Sequence, residues 1–249
     1  FCRALAASFA GAHTADLLLP RVGLSAVWPL PARAFVESRG GQVLTHTRAT
    51  NLVVEGGRVR AVETTRGRFA CEQAAIATAP KAAATLLSDE VLAPLRAQIE
   101  RLEPSPIATV YVQYPAAIAL PDFFLGLLDG PADWVFDRGH THAQAGLMAA
   151  VLSGPSGAMN LSREALADSV IAQLARQFPA WPAPLAHFVV REKQATFLAH
   201  AGVQALRPPA RTSLKNLWLA GDYVAGEYPA TLEGAVTSGI ECARLIMSD

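Results

Sequence analysis

Apolar and polar positions along the chain fall into distinct textures. Residues 42–78 alternate in short runs broken by glycine: VLTHT, NLVVE, a Gly56-Gly57 turn of hairpin type, RVRAVET, and RFAC after Gly67. Period-two spacing with tight turns predicts half-buried strands, so this segment reads as a β-meander. It closes on residues 74–78, an apolar strand that runs into Ala79-Pro80. Beyond Pro104, strand patterns recur at 107–114, 124–128, 134–136, 146–152, 187–193 and 196–198. Among them lies a helix: Ser162 caps it, Leu166, Val170, Leu174 and Phe178 repeat every four residues, and Pro179 ends it. Further helices are predicted over 1–19, stopped by Pro20; over 31–38, ended at Gly40-Gly41; and from Ser88, with Asp89 and Glu90 in its first turn, through Leu102.

Residues 216–246, NLWLAGDYVAGEYPATLEGAVTSGIECARLI, carry the most information. The apolar run 217–220 is too short for a helix and stops at Gly221-Asp222, which predicts a buried strand and a tight turn. From Pro229 onward Leu232, Ala235, Val236, Gly239, Ile240, Ala243 and Ile246 recur at three- and four-residue intervals, one stripe of a helix that Pro229 pre-sets at its start. Small residues at Gly234, Ala235 and Gly239 leave room for something flat near the backbone. A helix N-terminus exposes unpaired N–H groups and a positive dipole end, so the Ala230, Thr231 and Leu232 amides suit an electron-rich ring edge or an anion. Asp222, at the carboxyl end of a strand, stands where α/β sheets present groups to ligands.

Composition narrows this picture. Hydrophobic residues are 51% of the 249 and charged residues 17%, which fits a large buried interior or a greasy ligand site. The 21 basic and 21 acidic side chains cancel, so charge offers no argument for a nucleic-acid partner. Cys2, Cys71 and Cys242 lie far apart without C-x-x-C spacing; buried reduced thiols are expected, not a disulfide framework. The chain opens on Phe1 with no signal-peptide pattern, and a truncated or processed start is expected. Two uncharged stretches, 104–121 and 143–162, are interrupted by Pro, Gly or Asn and do not read as spanning helices.

Other chemistry finds little support. His140 and His142 form an H-x-H pair that nothing nearby completes, so no metal site is expected and a polar loop is. No G-x-S-x-G elbow is present. Asp129, Asp133 and Asp137 are spaced by four, but Gly130 and Pro131 break any helix there, leaving a solvated turn. Phe123, Phe124, Trp134, Phe136, Phe188 and Phe197 gather in the middle segment. Such residues are core by type, and their ring faces would steady a cationic intermediate. A G-x-G-x-x-G loop after an opening strand is absent, and with it the main cradle of a dinucleotide.

LAGDY followed by YPATLEGAVTSG resembles the C-terminal FAD-binding motif of the flavin amine oxidase and carotenoid desaturase superfamily. There the Asp holds the ribityl chain and the helix N-terminus meets the pyrimidine end of the flavin. The resemblance therefore implies that Gly221 and Asp222 take the first role, and Pro229, Ala230, Thr231, Leu232 and Glu233 the second. The meander with its exit at Ala79 and Pro80 resembles the insert of the FAD domain, in which the residue after the Thr-Arg pair, here Ala49, meets the adenine through its backbone. DLLLPRVGLS, TVYVQYP, GLLDGPADWVFDRG and VVREKQATF narrow the likeness to the bacterial hydroxysqualene dehydroxylase family, the squalene-associated FAD-dependent desaturases. WVFDRG and REKQATF are not general flavoprotein motifs.

The resemblance implies FAD as cofactor and an α/β, Rossmann-like FAD/NAD(P)-binding flavoprotein fold lacking its N-terminal dinucleotide-binding part, with an inserted sheet-plus-helix (α+β) substrate domain. The expected divisions are 1–24 (substrate domain), 25–100 (FAD domain), 101–213 (substrate domain) and 214–249 (FAD-binding strand and helix). It further implies an apolar isoprenoid substrate, hydroxysqualene, with Phe123, Trp134, Phe136 and Phe197 lining its chamber. A cytoplasmic enzyme peripheral to the inner membrane face follows, although no basic amphipathic helix stands out for docking. No catalytic residue can be named: Asp137 and Glu192 are the acids of the family-specific motifs, and a surface ion pair is the expected fate of each. A carotenoid-type desaturase, an amine oxidase and an inert or binding-only fragment remain open readings.

Overall fold

Gly56 and Gly57 both lie at positive φ, 58° and 71°, the backbone that lets a two-residue turn match the twist of its flanking strands. In the computed structural model, which describes residues 2–16 and 19–248, that turn sits in the following order of elements. Helices α1 (Cys2–Ser8), α2 (Leu24–Val27) and α3 (Pro29–Ser38) come first, then the meander strands β1 (Ala49–Glu55), β2 (Arg58–Thr64) and β3 (Gly67–Ala70). β4 (Ala74–Ile76), α4 (Pro80–Leu86) and α5 (Ala93–Glu100) follow. The middle of the chain forms β5 (Pro104–Gln113), β6 (Phe124–Gly126), β7 (Trp134–Asp137), α6 (Arg138–His142), β8 (Leu147–Ser153), α7 (Arg163–Gln177) and β9 (Ala186–Phe197). The chain finishes with β10 (Leu217–Leu219) and α8 (Leu232–Ser248). No helix among the described residues is long and apolar enough to cross a membrane.

Contacts divide the chain into two units, the first of Phe1–Asp16, Leu44–Glu103 and Phe197–Asp249. Here β1, β2 and β3 form an antiparallel sheet, and β4 pairs in parallel with β10 through Ala74↔Leu217, Ala75↔Trp218 and Ile76↔Leu219. All three β10 side chains are buried because the strand is covered on both faces. Leu217 and Leu219 enter a core with Leu52, Val59, Ile76, Leu87, Leu92 and Ile99, whereas Trp218 faces Cys242, Leu245 and Ile246 of α8. One buried amide ties the two sheets. Asn216 Nδ2 donates to Val59 O (2.8 Å) and Glu72 O (2.6 Å), and its Oδ1 accepts from Val59 N (2.9 Å).

The second unit, Leu17–Val43 and Pro104–Thr196, holds a five-stranded sheet in the order β6-β7-β8-β5-β9. Alternation sends Ala108, Val110, Val112, Val135, Met148, Ala150 and Leu152 to one face, where Leu166, Val170 and Leu174 of α7 join them in a single core. Ser162 caps α7, its Oγ accepting from Ala165 N (3.1 Å). Gln173, fully buried on α7, donates to Leu128 O and Ala132 O and accepts from Ala132 N, holding the β6–β7 connection down.

Several local expectations are corrected. VLTHT is not a strand: His46 lies at φ 54°, a left-handed turn that no ladder accommodates. The helix expected over 1–19 reduces to α1, residues 1, 17 and 18 lying outside the described residues, as does the Cys2 side chain. Asp89, not Ser88, caps the turn before α5 by accepting from Val91 N (3.0 Å). α4 went unpredicted, and the runs at 187–193 and 196–198 are one strand. The second unit ends at Thr196, not 213, because Phe197, Val203 and Leu206 pack into the first unit's core; residues 1–16 go with the first unit and 17–43 with the second.

Asn216→Ala strands three buried backbone groups at once, and unsatisfied buried groups cost about 1–3 kcal/mol each. The variant should lose on the order of 3 kcal/mol in urea unfolding; an unchanged midpoint would show that those groups find other partners.

Candidate cofactor site

Because β4 and β10 are parallel, their carboxyl ends lie on one edge, and the turns that leave them stand side by side. Ala220 N donates to Ile76 O (2.9 Å), and a Cβ on Gly221 would lie 3.8 Å from Thr78 O. Ala79-Pro80 and Gly221-Asp222 are therefore neighbours. Gly221 adopts φ 145°, and a Cβ there would press into the Tyr223 ring at 2.8 and 2.9 Å. Its N–H donates to Ser238 Oγ (2.8 Å), while that hydroxyl donates to Ala235 O (2.8 Å), drawing α8 against the turn.

This close approach decides which face of α8 is buried. Ser238 and Cys242 are buried, whereas Leu232, Val236 and Ile240 of the expected stripe are 75%, 41% and 49% exposed. Pro229 also stands before the helix and not in it. Thr231 is the cap, its Oγ1 accepting from Gly234 N (3.1 Å) and donating to Pro229 O (3.2 Å). The N–H groups of Ala230, Thr231, Leu232 and Glu233 find no acceptor among the described residues.

Between the two ends of this motif runs a loop folded around Arg207, a buried side chain that bonds the carbonyls of Asp222, Val224 and Tyr228. Burial pushes the half-buried Asp222 carboxyl above the usual carboxylate range. The Arg207 charge and the backbone N–H groups of Asp222 and Tyr223 pull it back, and burial wins. Among the described residues Asp222 forms no ion pair within 4 Å, so its oxygens keep acceptor capacity. Tyr223 is fully buried, its phenol pushed far up chiefly by burial, and its Oη has no partner among the described residues. A carboxylate with spare lone pairs and a row of free amides suit a ligand that offers hydroxyls at one point and carbonyl or ring acceptors at another.

The remaining expected site residues scatter. Ala49 opens β1, paired with Thr64 in the meander. Phe123, Trp134 and Phe136 do come together, each packed directly or through Phe124, with ring centroids 4.6, 5.3 and 5.6 Å from the Phe124 ring. Phe124 is opposite Phe136 across the ladder, and Trp134 is two residues from it, so these rings share the sheet face away from α7. Phe197 is not with them; it is buried in the first unit's core, 5.7 Å beneath the Arg207 guanidinium. Asp137 is no surface ion-pair partner. It is buried and accepts from Gly139 N (2.7 Å) and Leu120 N (2.9 Å) as the cap of α6, with His140 Nε2 at 3.7 Å. Glu192 is exposed and accepts from Gln194 N. His140 and His142 sit on α6, not in a loop, and Cys71 is half-buried where Cys242 is buried.

The family of flavin containing amine oxidoreductases matches residues 7–247. The chain belongs to it. Within reach of this family, the chain is 30% identical to the hydroxysqualene dehydroxylase of Rhodopseudomonas palustris over 96% of its own length and 54% of the relative's. The Sinorhizobium fredii hydroxysqualene dehydroxylase is 29% identical over 96% and 55%. A 15-cis-phytoene desaturase of Solanum lycopersicum is 26% identical over 88% and 40%. The chain thus spans about half the length of the curated relatives it matches. Among solved structures, putrescine oxidase superposes with a TM-score of 0.65 at 15% identity, over 91% of this chain and 53% of that one. A putative protoporphyrinogen oxidase from Exiguobacterium gives 0.63 at 16%, over 82% and 47%. The expected flavoprotein fold is borne out, and FAD is the cofactor of the family. The acceptor oxygens of Asp222 and the amides of 230–233 are of the kinds that fit the hydroxyls and ring acceptors of such a group.

Reading the sequence missed Ser238 and Arg207. A serine inside an otherwise apolar helix and an arginine just before Pro208-Pro209 were the available signals. Gly221→Ala forces a methyl into the Tyr223 ring in a backbone that side chains avoid, and overpacking costs about 1–3 kcal/mol. Its melting temperature should fall by several degrees; an unshifted melt would show that Tyr223 yields. Since the folded Asp222 binds its proton more tightly than the unfolded one does, its contribution is present at acid pH and is lost as pH rises through the folded value. Asp222→Asn should therefore gain stability relative to the parent as pH rises from about 4, in urea titrations at a series of pH values.

Proposed function

We propose that this chain supplies the flavin-gripping turn and the substrate sheet of an FAD-dependent oxidoreductase that converts hydroxysqualene to squalene. The observation that carries the reading is the pairing of two features on one chain: the Gly221-Asp222 turn with the amides of 230–233, and an aromatic sheet face built from the family-specific WVFDRG segment. Similarity to two hydroxysqualene dehydroxylases over nearly the whole chain supports it.

In this reading the Asp222 carboxylate accepts from ribityl hydroxyls, and the amides of Thr231 and Leu232, with Ala230, Glu233 and the Pro229 turn beside them, hold the pyrimidine edge. Gly221, Ala79 and Pro80 keep the backbone low beneath the cofactor, and Ala49 meets the adenine through its backbone. Reduced FAD, when bound, supplies the hydride that takes the place of the allylic hydroxyl, which leaves with a proton as water. Phe123, Trp134 and Phe136 keep water from the isoprenoid and offer ring faces to positive charge at the allylic carbon. A long apolar isoprenoid substrate also implies an enzyme working at a membrane surface.

Full-length enzyme given reduced flavin deuterated at its hydride position should yield squalene labelled at the former carbinol carbon. Unlabelled squalene would overturn the hydride route. The likeness to a phytoene desaturase favours one other reading, removal of hydrogen from a polyene precursor. Incubation with hydroxysqualene and with phytoene side by side separates the two: squalene from the first supports dehydroxylation, and turnover of phytoene alone replaces it.

A further inference from the structure

Arg207 is 5% exposed, yet it makes no ion pair within 4 Å among the described residues. Its four terminal N–H donors are instead spent on oxygen dipoles. Nη1 donates to Tyr228 O (2.7 Å) and Gln204 Oε1 (2.9 Å), and Nη2 to Val224 O (2.6 Å) and Asp222 O (2.9 Å). Phe197 lies beneath the guanidinium plane. Gln204 completes the arrangement by donating from Nε2 to Gly226 O (3.1 Å), so four carbonyls of the segment 222–228 point at one Arg–Gln pair. That segment has no regular structure of its own and joins Asp222 to the Pro229–Thr231 cap. Burying a guanidinium without a carboxylate is expensive, and apolar residues would stabilise the fold better. The arrangement makes sense as a device that imposes one shape on a loop which has no ladder to impose it.

We infer that Arg207 is a positioning residue for the cofactor: its planar fork, braced by Gln204 and Phe197, sets the loop between Asp222 and Thr231 so that the carboxylate and the helix-cap amides are held in register for one ligand. The inference rests on the reading of Asp222 and the 230–233 amides as the flavin grip. A lysine cannot replace the fork, since an ammonium is a point donor with three N–H groups and no plane to rest on Phe197.

Hydrogen exchange on the purified chain, read by mass spectrometry with and without FAD, tests the inference and its premise separately. In the FAD-free chain, Arg207→Lys should speed exchange in peptides covering 222–231 about tenfold or more, with the β5–β8 peptides unchanged. Gln204→Ala, a milder change at an exposed side chain, should produce a smaller rise in the same segment, and it keeps the test open if Arg207→Lys fails to fold. Wild-type exchange in that segment for both variants, or for Gln204→Ala when Arg207→Lys is unfolded, would overturn the inference. FAD should slow the 230–233 amides in the wild-type chain and not in Asp222→Asn, whose loop exchanges as the parent does. If FAD protects Asp222→Asn equally, the premise falls while the loop-setting role of Arg207 stands on the FAD-free data. Visible circular dichroism of flavin in full-length Arg207→Lys gives a second reading: a changed flavin band supports the role, and a spectrum identical to wild type argues against it.

Discussion

The structure of the first unit depends on how closely α8 approaches the end of β10. Gly221 has no side chain, so its N–H reaches Ser238 Oγ, and Ser238 and Cys242 are small enough to let Trp218 fill the space beneath the helix. One hydrogen bond and three small residues thereby fix the distance between a strand end and a helix start. The rotation of α8 follows from it, and so does the exposure of Leu232. A larger residue at 221 or 238 would push the helix away and separate the Asp222 carboxylate from the amides of 230–233.

Irregular backbone elsewhere is held by the same means, one buried polar side chain answering several carbonyls and amides. Asn216 does this between meander and parallel pair, Gln173 beneath the β6–β7 connection, and Arg207 in the loop after Asp222. Buried backbone groups need partners, and a side chain of two or more donors supplies them where no strand neighbours the segment. The two amides serve packing. Arg207 differs by carrying charge, at an energetic cost that stability alone does not account for.

The second unit divides its sheet by face, aliphatic on one side and aromatic on the other. Alternation along β5, β7 and β8 gives α7 a face of aliphatic residues and leaves the other to Phe124, Trp134 and Phe136. The aromatic face has the packed aliphatic core behind it. That division is why the WVFDRG segment combines two jobs in four residues: Trp134 and Phe136 face outward, Val135 enters the core, and Asp137 caps the next helix.

Much of this was legible in the residues. Period-two runs and the Gly56-Gly57 pair locate the hairpin, four-residue spacing and Ser162 locate α7, and the residues around Gly221-Asp222 resemble a flavin motif in sequence alone. Local order supplies such signals because turns, caps and alternation are decided by a few neighbouring residues. Tertiary structure alone decided the rest. Periodicity predicts one stripe on α8 through Leu232, Val236 and Ile240, and the Ser238 bond turns a different face inward. Phe197 ends the strand that carries Phe188 yet belongs to another core, and Asp137 reads as a surface acid yet is a buried cap, since each depends on neighbours distant in sequence. Arg207 left almost no local trace, because its role comes from carbonyls that lie 15 to 21 residues further along the chain and gather around it only in the folded protein.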